Sequence, residues 1–133
     1  MTYKRFLPGI LWGIFMLVLT GIPGNYFPRI PSFLELFSPD KLVHVFLFLV
    51  FCFLILYGFI KQYSFGENRY KYILITFFIG VVYAGLTEIF QIYIFVGRNG
   101  NIYDFIADSF GCILGISIFL LLYRKKYRKN NSM

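Results

Sequence analysis

Apolar residues run almost unbroken through four stretches of the chain, 6–22, 42–60, 72–96 and 102–123. A bilayer core of about 30 Å takes about 17–25 mostly apolar residues as a helix. Each stretch is therefore read as a transmembrane helix, and together they predict an all-α, four-helix transmembrane bundle. The first is the shortest. The second contains His44 and no formal charge, the third is broken only by Glu88 and Gln91, and the fourth carries Asp104 and Asp108 near its start and is then apolar from Cys112 onward. A charge in lipid costs at least about 2.5 kcal/mol, so these interruptions carry information.

Composition agrees. Only 14% of the 133 residues are charged and 59% are hydrophobic, with 18 Phe, 11 Tyr and one Trp. A soluble domain of this length would leave much of that surface in water, and disorder needs low hydrophobicity. The length allows a single domain, 1–133, with no appended catalytic module. Two cysteines and one histidine leave no room for a disulfide scaffold or a multi-cysteine zinc site. No small-x-small cleavage site follows the first stretch, which continues as Gly21-Ile22-Pro23-Gly24, so a retained helix is expected.

Charge sets the expected topology. Ten of the 13 Lys and Arg fall at the N-terminus (Lys4, Arg5), between the second and third stretches (Lys61, Arg69, Lys71) and in the tail at 124–133. The positive-inside rule then puts both termini of this multi-pass membrane protein in the cytoplasm. The net charge of +7 is mostly topology. The tail reads as an anchor to anionic lipid headgroups rather than a nucleic-acid contact. The first outer loop, 21–39, holds four of the five prolines together with Phe27, Phe33, Leu34, Leu36 and Phe37. It reads as a re-entrant or interfacial segment, with a plain extended linker as the alternative.

Acidic residues show the opposite asymmetry. Glu35, Asp40, Glu88, Asp104 and Asp108 all fall outside or in the outer part of the bilayer, and only Glu67 is cytoplasmic. Three helices thus place ionisable groups at one depth. At 100° per residue, Gly80, Ala84, Glu88 and Gln91 lie within about 80° on the third helix, and Asp104, Asp108, Gly111 and Gly115 within about 60° on the fourth. Small residues at such spacing let membrane helices approach. The third and fourth helices are expected to pack through Gly80/Ala84 and Gly111/Gly115, bringing Glu88 towards Asp104 and Asp108. Gathered carboxylates require a cation, a shared proton or a nearby Lys41, His44 or Arg98. Plainer structural roles exist: Gln91 as a cross-helix hydrogen bond, Asp104 as a helix cap, His44 as an interfacial pair. Cys52 and Cys112 read as inert packed thiols. An intramembrane Glu88 is functional by default.

These residues resemble a known pattern. Asp40-Lys41-Leu42-Val43-His44 is similar to the DKxxH signature of the VanZ-like family, and Glu88-Ile89-Phe90-Gln91 to its ExxQ element. The segment from Arg98 to Asp104, followed by Asp108, Gly111 and Gly115, is similar to its RxxxxxD…N…G…G ending, with Asp108 where the family usually has Asn. The match covers about residues 40–115. The resemblance implies a bacterial cell-envelope protein of the plasma (inner) membrane, in a family named for low-level resistance to the lipoglycopeptide teicoplanin, and it brings no settled reaction.

Several mechanisms fit these residues. A membrane-embedded enzyme would use His44 as acid or base with Glu88 or Asp104 sharing its proton. Lys41 and Arg98, with Gln91 and Asp40, would bind the headgroup of a phospholipid or lipid-linked cell-wall precursor. No metal or other cofactor is expected, although a divalent cation on His44, Glu88, Asp104 and Asp108 is a variant. A homodimeric transporter or flippase proton-coupled at Glu88, and a non-catalytic shielding protein, are the alternatives.

Overall fold

The computed structural model describes residues 2–22, 39–63, 65–95 and 100–130. After a 3-10 turn at Thr2–Arg5 come four helices: α1 (Leu7–Thr20), α2 (Pro39–Gln62), α3 (Phe65–Tyr93) and α4 (Ile102–Asn130), with no strand among the described residues. Among the described residues, three stretches are long and apolar enough to cross a membrane, Asp40–Gln62, Asn68–Tyr93 and Ile102–Lys125.

The first helix differs from expectation. Its 14 residues reach about 21 Å at 1.5 Å per residue, short of a bilayer core. Local chemistry trims it at both ends. Pro8 stands in the first turn, where a missing N–H forfeits no helical bond. Gly21 closes the other end, its N–H donating to the carbonyl of Leu17 at 3.1 Å. The second helix runs beyond its expected limits at both ends, the third starts earlier but stops at Tyr93 rather than 96, and the fourth extends past 123. The second connection is largely absorbed into α3, which starts at Phe65, and the basic tail continues α4 to Asn130 with Arg124 and Lys125 exposed. Residues 23–38, nearly all of the first outer loop expected at 21–39, lie outside the described residues.

Each helix buries one stripe. On α1 it is Gly9, Gly13, Met16 and Thr20. On α2 it runs Lys41, His44, Phe48, Cys52 and Ile55, and on α4 Asp104, Asp108, Cys112, Ile116 and Phe119. These spacings of three and four residues are helical. The outward positions, among them Ile14, Val18, Leu74, Phe78, Ile113 and Leu121, are large and apolar, as a lipid-facing surface requires.

The contact between α2 and α4 is the most extensive of any helix pair. The two run parallel, with His44 beside Asp108 and Phe53 beside Phe119. Here the glycine expectation needs correcting. A Cβ on Gly111 would meet the Val45 carbonyl, and one on Gly115 the Leu49 carbonyl. Those glycines therefore carve the α2 contact, not the α3 contact. Gly80 does face α4, and α2 as well: its Cβ would stand 2.5 Å from Cys112 Sγ and 2.6 Å from Cys52 Sγ. Both cysteines are free and buried. Helix α1 runs antiparallel to α2, with Gly9 against Ile55 and Gly13 against Phe51. Two side chains tie it down. Trp12 Nε1 donates to the Leu47 carbonyl at 3.0 Å, and the Tyr83 hydroxyl donates to the Gly13 carbonyl at 2.6 Å.

Candidate functional site

The start of α4 is built by Asn101. Its side-chain oxygen accepts from the backbone N–H of Tyr103 at 3.0 Å, which is an N-cap. Its own backbone N–H donates to Glu88 Oε2 at 2.8 Å. The Glu88 carboxylate thus sits at the positive end of a helix dipole and takes a charge-assisted bond. That is how an acidic side chain is held in the last third of α3. Gly100 lets the chain enter α4 closely, since a Cβ there would strike the Ile92 side chain.

With Asn101 as cap, Asp104 is left to face α2. Its Oδ1 lies 3.2 Å from Lys41 Nζ, and both side chains are 8% exposed. One turn further on, His44 Nδ1 lies 2.9 Å from Asp108 Oδ1. The histidine is 2% exposed and the aspartate fully buried. Asp40, one helical turn before His44, completes the group. One ligand atom each from Asp40, His44 and Asp104 lies within 4.8 Å of the others. Glu88 is within electrostatic reach of Asp104, Asp108 and His44.

The helices therefore bring His44, Asp104, Lys41, Asp40, Glu88 and Asp108 to one end of the bundle. Gln91 is buried one turn after Glu88 on α3. Arg98 lies outside the described residues. The histidine partner differs from expectation, being Asp108 rather than Glu88 or Asp104. Three polar atoms at this end of the bundle are buried without a hydrogen-bond partner: Glu88 Oε1, Gln91 Nε2 and Asp108 Oδ2. Farther along the same helices the core is mostly apolar, built of Phe48, Phe51, Cys52, Leu56, Ile116 and Phe119, with the Thr76 hydroxyl buried beside Cys52.

Sequence reasoning missed Asn101 as the cap. The signal was present, because an Asn directly before an apolar run and three residues ahead of an acid is a helix start.

The sequence model described as VanZ/LLP1 matches residues 7–123 of the chain. No curated protein and no solved structure matches it.

Proposed function

The chain belongs to the VanZ/LLP1 family, and from that premise we propose a bacterial plasma-membrane protein that binds a lipid headgroup and moves a proton on it. The headgroup is that of a phospholipid or a lipid-linked cell-wall precursor in the outer leaflet. In this reading both termini are cytoplasmic and the cluster opens outward, in keeping with the distribution of Lys and Arg.

The observation that carries the reading is the buried His44–Asp108 pair beside the buried Lys41–Asp104 pair. A carboxylate on Nδ1 fixes the ring and leaves Nε2 to take or give a proton. Lys41 supplies the positive charge for a phosphate or carboxylate, exchanging Asp104 for the ligand. Glu88 is a positioning residue that holds the start of α4 through Asn101. The low-dielectric surroundings strengthen each of these interactions.

Comparison of lipid and cell-wall-precursor pools, with and without the protein, tests the reading. The pools differ and the difference disappears in His44→Ala, together with any change in teicoplanin susceptibility. Pools and susceptibility unaltered by Ala at His44, Glu88 and Asp104 alike would overturn it.

A further inference from the structure

Among the described residues, three carboxylates gather around one ammonium and one imidazole, with Asp40 beside them. Glu88, Asp104 and Asp108 stand against Lys41 and His44. Even a protonated ring leaves negative charge in excess, and burial makes that excess costly. Buried oxygens without partners add to it, Asp108 Oδ2 and Glu88 Oε1 among them. Asp108 is also fully buried and within electrostatic reach of Asp104 and Asp40.

We propose that Asp40, His44 and Asp104 hold one divalent first-row cation, Mn2+ or Zn2+. Their ligand atoms already lie within 4.8 Å of one another. The donor set decides the class: an imidazole nitrogen beside carboxylates suits Mn2+ or Zn2+, whereas Mg2+ and Ca2+ take oxygen. The bond from His44 Nδ1 to Asp108 is the arrangement metal-binding histidines adopt. A carboxylate on one ring nitrogen fixes the tautomer and presents the other, here Nε2, to the ion, which takes the place of the proton that Nε2 handles in the metal-free chain. Asp104 has two oxygens, so it serves Lys41 and the cation together. Open positions on the ion would meet a phosphate or carboxylate oxygen, and for that step the inference rests on the headgroup reading. The ion site itself stands on the geometry.

The full chain in nanodiscs, stripped with EDTA and dialysed, is titrated with Mn2+ and with Zn2+. Free Mn2+ is followed by its paramagnetic resonance and bound Zn2+ by elemental analysis. One ion binds per chain. Affinity falls at least tenfold in His44→Ala and in Asp104→Asn, and less in Asp40→Asn, whose side chain is only half-buried. Glu67→Gln, at the other end of α3, leaves it unchanged. Circular dichroism of each variant separates lost binding from lost folding, and Asp40→Asn supplies the reading should the two buried variants unfold. Binding well below one ion per chain, or equal affinity in folded His44→Ala or Asp40→Asn, overturns the site. Lipid retained without metal would leave the headgroup reading standing, and metal retained without lipid would sink that reading alone.

Discussion

The two ends of the α2–α4 contact are made of the same two helices and do opposite things. Where α2 and α4 begin, the contact consists of ionisable pairs, Lys41 with Asp104 and His44 with Asp108. Farther along, it is backbone against glycine, with Gly111 on the Val45 carbonyl and Gly115 on the Leu49 carbonyl. The apolar end is packed tightly against backbone. The polar end keeps buried oxygens without partners. The difference teaches a division of labour. Close glycine packing sets the distance between the helices, and the polar end uses that distance to hold charges that neither helix could carry alone in lipid.

Removing the ammonium from the polar end has the largest expected effect. Lys41→Met leaves the Asp104 carboxylate buried and uncompensated, and breaking a buried pair in this way costs about 3–5 kcal/mol. Thermal unfolding in detergent reads the loss, and Asp104→Asn in the same chain restores part of it. Stability unchanged by Lys41→Met would mean that the pair holds nothing. Filling the apolar end comes next. Gly115→Ala pushes a methyl group against the Leu49 backbone, which cannot rotate away, at about 2–3 kcal/mol. The same substitution spreads the helices and weakens the His44–Asp108 bond, visible as a shift of the imidazole resonance. A resonance that stays put while stability falls would uncouple the two ends.

Much of the fold was legible, because twenty-residue apolar runs and helical small-residue stripes are strong periodic signals. The shared depth of His44, Glu88, Asp104 and Asp108 followed from the same count. What was not legible was partner choice. Helical angles place Gly111 and Gly115 on one face of α4 but do not say which neighbour that face meets. In the structure it is α2, and this sends Asp108 to His44. The length of α1 was also misjudged, since hydropathy passes through Gly21 and Ile22 while helix geometry stops at Thr20.

Smaller effects lie at the margins of the comparison. Asn101→Ala removes the cap of α4 and costs about 1 kcal/mol. It also loosens the entry that carries the backbone bond to Glu88, so hydrogen exchange at the first turn of α4 rises while the turn at Gly115 stays protected. Trp12→Phe removes one bond from α1 to α2, worth about 0.5–1.5 kcal/mol, and leaves both ends of the α2–α4 contact intact.

The central claim is that the polar end is held open for a headgroup. Native mass spectrometry of the protein released from its own membrane measures this most directly. The claim predicts a phosphate- or carboxylate-bearing lipid retained by the wild-type chain and lost from folded Lys41→Met and His44→Ala, with Trp12→Phe retaining it. Equal lipid retention by all four proteins would contradict it.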